Sequence, residues 1–248
     1  MWRGAMSGHS KWSKIKRDKG ANDAKRGAIF TRIGNQIAIA ARAGVDPTMN
    51  AALALAIEKA KAANMPMSNI QRAIDRVADK SAAALEEVTY EGYGPGGVGI
   101  IVETATDNKN RTYPEVRTAI TKNGGTMADA GSVAFQFTRK GVIRVGASDE
   151  SALMTVLDAG AEDAVEEDDE ILVYTDMKDL AHSRATIAQS GLPVLDAELQ
   201  YVPNATVPIV DPDIARKLLK VLDALEELDD VVNVHTNADI QVDIDDES

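Results

Sequence analysis

Residues 70–106 read IQRAIDRVADKSAAALEEVTYEGYGPGGVGIIVETAT, and the hydrophobic period changes inside them. Ile70, Ile74 and Val77 return every three to four residues, the interval of one helical face. After Ser81-Ala82-Ala83-Ala84, residues 88–93 and 98–104 are rich in β-branched and aromatic side chains, with the turn residues Gly94-Pro95-Gly96-Gly97 between them. A helical domain therefore gives way to sheet near residue 80. The charge changes at the same place. Residues 1–80 hold fifteen basic and six acidic residues, net +9, whereas residues 81–248 hold twelve and thirty-three, net −21.

Upstream of this boundary, Ile29, Ile33, Ile37 and Ala40 mark a first helix from about Asp23, ending near Gly44. Asp46-Pro47 reads as N-cap and first position of a second helix, with Leu53, Ile57 and Ala60 on its buried stripe. Ser68 with Gln71 resembles a capping box for the third helix. Helices this short need one another, so a single three-helix domain over residues 23–80 is expected. Residues 1–22 show no apolar period and are expected to be a flexible basic arm. Through Gly44 the chain carries ten basic residues against Asp18 and Asp23. So basic a segment on an acidic protein attracts polyanions, and phosphate backbones supply most of the affinity of such contacts. Trp12, among these charges, could stack on a base or anchor the arm to the body.

Downstream, Thr112 with Glu115 is expected to cap a helix through Lys122, ended by Gly124-Gly125. Residues 132–138 then read as a strand whose Val133, Phe135 and Phe137 share a face. Residues 141–202 follow as βαββαβ, with helices from Asp149 and from an Asp176 cap; this is the split βαβ or ferredoxin-like pattern. Asp211-Pro212 starts a helix carrying Ile214, Leu218, Val221, Leu222, Leu225 and Leu228, and residues 231–235 close with a strand. The expected class is α+β: an amino-terminal three-helix domain followed by two α/β, ferredoxin-like domains, the third inserted in the second. The expected boundaries are 81–139 plus 206–237 for the discontinuous domain, 140–205 for the insert and 238–248 for an acidic tail.

Several chemistries are excluded by composition. The absence of cysteine removes disulfides, iron–sulfur clusters and thiolate zinc sites, and makes a reducing, cytoplasmic setting the expectation. His9, His182 and His235 are far apart and in no metal-binding spacing. No apolar run approaches the roughly 18 residues of a membrane span, so no membrane partner is expected. Gly92 to Gly99, GYGPGGVG, invites a phosphate-loop reading, but a strand follows it where a helix N-terminus would be required. In the segment from Thr106 to Thr112, Asn108, Lys109, Asn110 and Arg111 form a secondary candidate surface for phosphate or base edges; capping and turn chemistry accounts for Asp107, Asn108 and Thr112 as well. Consecutive carboxylates at residues 166–170 do not converge in a hairpin turn and read as a solvated face.

GHSKW at 8–12, DAKRGAIFTR at 23–32, KAKAANMP at 59–66, IQRAI at 70–74, YEGYGPGG at 90–97, TDNKNRT at 106–112 and KNGG at 122–125 resemble the YebC-type family of bacterial transcriptional regulators and mitochondrial translational activators. The motifs span nearly the whole chain. Members begin close to Met-Ala-Gly-His-Ser, which makes Met6 the expected start. The resemblance implies three domains, one inserted in another, and a basic helical domain that contacts DNA or, in ribosome-acting members, ribosomal RNA. Carried to this chain, backbone contacts fall on Lys11, Lys14, Lys16, Lys19, Lys25, Arg26 and Arg32, with His9, Ser10 and Trp12 making the shape-specific part. The chain departs from the pattern at Asn35, Ala54 and Met67, where relatives usually carry cations.

The expected function is a non-enzymatic nucleic-acid-binding regulator of gene expression, without cofactor or metal and monomeric. DNA binding in transcription and ribosomal RNA binding in translation are the two forms of it. The chain shows no clear helix-turn-helix signature, and a basic arm before a short bundle suits a folded RNA at least as well. An adaptor that binds a basic protein through the acidic modules is the remaining class.

Overall fold

The computed structural model describes residues 23–77, 85–167 and 169–242. Three helices come first: α1 (Asp23–Ala41), α2 (Ala51–Ala62) and α3 (Met67–Asp75). Ile33, Ile37 and Ala41 meet Leu53 and Ala60 of α2, Ile70 and Ile74 of α3, and Met65 from the connecting turn. Helices this short are marginal in water on their own, so this shared core is what holds them.

Two of the expected helix starts are corrected. Asp46 does not cap α2; it closes a local turn, accepting from the N–H of Thr48 at 2.9 Å and its hydroxyl at 2.7 Å. The cap is Asn50, whose side chain accepts from the Leu53 N–H at 3.1 Å and donates to the carbonyls of Ala40 and Gly44, each at 2.7 Å. Asparagine can cap one helix and satisfy the end of another because its amide both accepts and donates, which a carboxylate cannot do. The Ser68–Gln71 box does not form: α3 begins at Met67 behind Pro66, and Gln71 turns to Asp75 at 2.8 Å.

A four-stranded antiparallel sheet follows. β1 (Glu86–Tyr93) and β2 (Gly99–Thr106) pair with Glu86 opposite Thr106 and Tyr93 opposite Gly99. β3 (Thr126–Ala128) adds to β1 and β9 (Val231–Thr236) adds to β2, giving the order β3-β1-β2-β9. One face is covered by α4 (Lys109–Thr121) and α7 (Pro212–Glu226). Ile100, Val102 and Val234 of the sheet pack against Val116 and Ile120 of α4 and Leu218, Leu222 and Leu225 of α7. β8 (Val207–Ile209) and β10 (Ala238–Ile240) form a short parallel pair that adds Ile209, Ala238 and Ile240 to the same core.

This domain corrects three further expectations. Residues 132–138 are not one strand: Ala134–Gln136 is a 3-10 turn, and Phe135 is 72% exposed while Val133 and Phe137 are buried. The physical reason is Glu91, whose carboxylate accepts the N–H groups of Gly131, Val133 and Ala134 at 2.6, 2.6 and 2.8 Å. Amides taken by a side chain are not available to a ladder. The helix expected from Thr112 starts earlier, capped by Asn108, and Thr112 is buried inside it. Residues 238–240, expected to open the acidic tail, are β10.

Thr138–Val202 is a second compact unit. β4 (Phe137–Val145), α5 (Glu150–Asp158), β5 (Asp163–Glu167), β6 (Glu170–Thr175), α6 (Leu180–Gln189) and β7 (Val194–Pro203) run βαββαβ, with strands in the order β5-β6-β4-β7. Asp149 caps α5 as expected, accepting from the Ala152 N–H at 2.9 Å. Asp176 does not cap α6; it accepts from the Lys178 N–H at 3.0 Å in the turn before it. The acidic residues are partly neutralised in place: Arg144 grips Glu170 through Nε and Nη2 at 2.7–3.0 Å, and Lys140 pairs with Glu162. The chain enters and leaves this unit at adjacent points, since the Asn204 N–H donates to the Gln136 carbonyl at 2.8 Å.

Candidate nucleic-acid interface

Most of the cationic candidates precede the first described helix. His9, Ser10, Lys11, Trp12, Lys14, Lys16 and Lys19 lie outside the described residues, and Lys25 and Arg26 fall in the first turn of α1. Arg32 is the candidate whose side-chain geometry is defined. It is half-buried, and its Nη2 donates to the carbonyl of Glu226, the last residue of α7. Further along α1, Arg42 donates to the Leu85 carbonyl at 2.9 Å, and Asn35 is 7% exposed, donating to the Asp229 carbonyl and accepting from Arg76, both at 3.3 Å. Asn35 therefore stands at an internal position. Met67, by contrast, is 61% exposed, and Ala54 is half-buried.

The secondary surface is engaged within the fold. The Asn108 side chain accepts from the N–H groups of Asn110 and Arg111, capping α4. Lys109 pairs with Glu86 at 2.5 Å. Arg111 reaches Asp230 at 2.8 Å and Asp107 at 3.2 Å. Asp230 also accepts from the hydroxyls of Thr106 at 3.0 Å and Thr112 at 2.6 Å. Burial alone would raise this carboxyl, but the bonds from Thr112, Arg111 and Thr106 outweigh it and hold the group below the usual carboxylate range. Segment 106–112 thus brings Asn108, Lys109, Asn110 and Arg111, all exposed, to one end of α4, where Asn108 caps the helix and Lys109 and Arg111 face carboxylates.

Sequence reasoning missed three buried polar anchors, Glu91, Asp230 and His235. His235 is 3% exposed, with Nε2 at 2.8 Å from Glu103. Each is made by partners far away in the chain, so no local pattern announces it. The Gly92 to Gly99 stretch is a tight connection, as its strand context required. The Gly94 N–H donates to Val98 and the Gly97 N–H to Gly94, and a Cβ at Gly94 would stand 2.9 Å from both Ile100 and Leu218. The Gly94 and Gly97 amides are thus taken by the turn, and the Gly99 amide by the Asn237 side chain at 2.7 Å. Among the described residues no group of three or more His, Cys, Asp or Glu is placed to hold a metal ion, and no helix is long and apolar enough to cross a membrane.

Residues 10–80 match the TACO1/YebC protein N-terminal domain, and residues 85–238 match the TACO1/YebC second and third domain. A "Probable transcriptional regulatory protein" of Moorella thermoacetica is 49% identical over 242 residues, covering 95% of this chain and 96% of the relative. A protein of the same description from Roseiflexus castenholzii is 47% identical over 245 residues, at 95% and 96% coverage. Among solved structures, a conserved hypothetical protein from Aquifex aeolicus superposes with a TM-score of 0.85 at 40% identity, covering 91% of this chain and 95% of that one. With both parts of the family pattern matched in order along the chain, this protein belongs to the TACO1/YebC family.

Proposed function

We propose that the chain is a non-enzymatic, cytoplasmic regulator of gene expression that binds nucleic acid through its basic amino-terminal region. The observation that carries the reading is the coincidence of two boundaries: net charge passes from +9 to −21 at residue 80, between the three-helix domain and the first sheet. A polyanion is attracted to the positive segment of such a chain and repelled by the negative one. His9, Ser10, Lys11, Trp12, Lys14, Lys16, Lys19, Lys25 and Arg26 are the proposed contacts. DNA, in transcriptional regulation, is the first target, in line with the description its relatives carry. RNA of the ribosome is the second, favoured by the placing of Arg3, Lys11, Lys14, Lys16, Arg17 and Lys19 before the first helix; an arm of cations fits a folded RNA better than a single groove. The 138–202 unit, with its βαββαβ order, is read as a ferredoxin-like insert that takes no part in the contact.

The test is binding of a fluorescent 30-base-pair duplex and of a structured RNA by the full chain between 50 and 200 mM salt. Log affinity is expected to fall linearly with log salt, with a slope of roughly 0.7 to 0.9 per phosphate contact. Neutralising Lys11, Lys14, Lys16 and Lys19 together should abolish binding; salt-insensitive binding that survives the substitution would sink the proposal. Co-sedimentation with ribosomal particles, set against DNA crosslinking across the genome, separates the two targets.

A further inference from the structure

Arg32 is a phosphate ligand by the charge pattern, yet the fold turns it inward. We infer that Arg32, with Asn35 and Arg76, is a positioning residue: the three latch the helical domain to the turn between α7 and β9 and so fix where the basic amino-terminal region leaves the body. The inference rests on the nucleic-acid reading above for its functional consequence.

The chemistry of the turn explains why an arginine suits it. The last carbonyls of a helix have no intrahelical donor and carry its negative end, so a cation placed there satisfies an acceptor and the dipole together. Arg32 Nη2 takes the Glu226 carbonyl at the end of α7. Its Nε is buried and finds no hydrogen-bond partner among the described residues. A guanidinium serving phosphate would keep that edge open to solvent. One turn along α1, Asn35 bonds the Asp229 carbonyl at 3.3 Å and takes Arg76 Nη1 at 3.3 Å on its other side. Arg76, just past α3, also faces Asp107 at 3.9 Å. Contacts from α1 thus meet residues 226 and 229, and Arg76 at the end of α3 faces residue 107. The receiving side is itself anchored, because the next residue, Asp230, is held by Thr106, Thr112 and Arg111. Nine residues, roughly 13 Å of helix, separate Arg32 from Asp23, so a tilt at the latch is carried to the point where the basic residues begin.

Arg32→Gln, Arg32→Lys and Lys11→Gln in the full chain distinguish the roles. Amide exchange over residues 226–230 is measured without nucleic acid, and binding to the 30-base-pair duplex and the structured RNA is measured across the salt range. A latch predicts that Arg32→Gln speeds exchange in this turn severalfold and weakens binding about fivefold, the factor for one hydrogen bond, with the salt slope unchanged. Arg32→Lys, which can still donate to a carbonyl, should recover much of both effects. Lys11→Gln should lower the slope and leave the exchange alone. Unchanged exchange in Arg32→Gln with a slope reduced by roughly 0.7 to 0.9 would make Arg32 a phosphate ligand and overturn the latch. Absence of binding by the unaltered chain would instead overturn the nucleic-acid reading, with the exchange data still deciding whether the turn is latched. Should Arg32→Gln lose its helical circular dichroism, Asn35→Ala provides the same comparison.

Discussion

Glu91 and Asp230 are carboxylates that burial pushes toward the neutral form, and each is kept charged by donors from a loop or a neighbouring element. For Glu91, burial raises the carboxyl while the N–H groups of Gly131, Val133 and Ala134 lower it, and the net direction is down. A group lowered on folding binds fewer protons in the native state than in the unfolded one, so its stabilisation is complete above the unfolded value, 4.5 for Glu91 and 3.8 for Asp230, and is lost as pH falls through the lower folded value. Glu91→Gln retains one accepting oxygen for three N–H donors. It should lose about 2–3 kcal/mol at pH 7, and the gap to the unaltered chain should close on acidification below the unfolded value. Urea unfolding at stepped pH measures this; a gap constant with pH would show that the carboxylate charge is not what holds the 131–134 turn. Asp230→Ala removes the carboxylate acceptor of the Thr106 hydroxyl and of Arg111, while the Thr112 hydroxyl can still donate to the Asn108 carbonyl at 3.0 Å; it should cost about 1–3 kcal/mol, seen as a lower urea midpoint with unchanged slope.

At the scale of elements, two glycines carry opposite expectations. Gly34 lies inside α1 with nothing within 4 Å of an added Cβ. Gly34→Ala should stabilise the helix by about 0.5–1 kcal/mol through the backbone entropy that glycine loses on folding. Gly141 lies in β4, where a Cβ would come within 2.3 Å of Thr175 Oγ1 and 2.9 Å of the Leu180 Cβ. Gly141→Ala should cost about 1–3 kcal/mol by forcing β4 and α6 apart. Thermal melting of the two variants should shift in opposite directions. What was legible in the chain follows the same division between local and distant causes. The stripes of α1 and α7, the hairpin around Gly94 to Gly97 and the cap at Asp211 are written in neighbouring residues, and the fold has them there. Thr112 precedes an apolar run and has the local pattern of a cap, whereas Asn108 begins the helix and Thr112 turns inward to Asp230, 118 positions away. The alternation of Val133, Phe135 and Phe137 has the pattern of a strand, and Glu91, which takes the amides of Gly131, Val133 and Ala134 and so prevents one, lies at least 40 residues upstream. β10 pairs with β8 across the whole α7–β9 excursion, and its acidic neighbours hid it. The bond from Arg32 to the Glu226 carbonyl spans 194 residues, so no local pattern in α1 shows it.

For the whole molecule, the division of charge has a consequence that can be separated from the division of structure. The 138–202 unit holds five basic and fourteen acidic residues, net −9. If its part in nucleic-acid binding is repulsion at a distance, removing it changes the field at the basic end without changing how many phosphates are contacted. The salt slope counts released counterions and so reports contacts, whereas the affinity at low salt also reports the field, which is screened beyond about 10 Å at 0.1 M salt. The junction allows the experiment, because Gln136 and Asn204 are hydrogen-bonded neighbours, so a short Gly-Ser connection can run from Phe137 to Pro203, and among the described residues the buried core around α4 and α7 is made by residues outside 138–202. The shortened chain should melt cooperatively, bind the duplex and the RNA more tightly than the full chain at 50 mM salt, and converge with it toward 200 mM, at an unchanged contact count once the two curves are compared above the screening range. A loss of slope on excision would mean that Arg139, Lys140, Arg144 or another cation of the insert touches phosphate, and the footprint would then have to extend beyond the basic end.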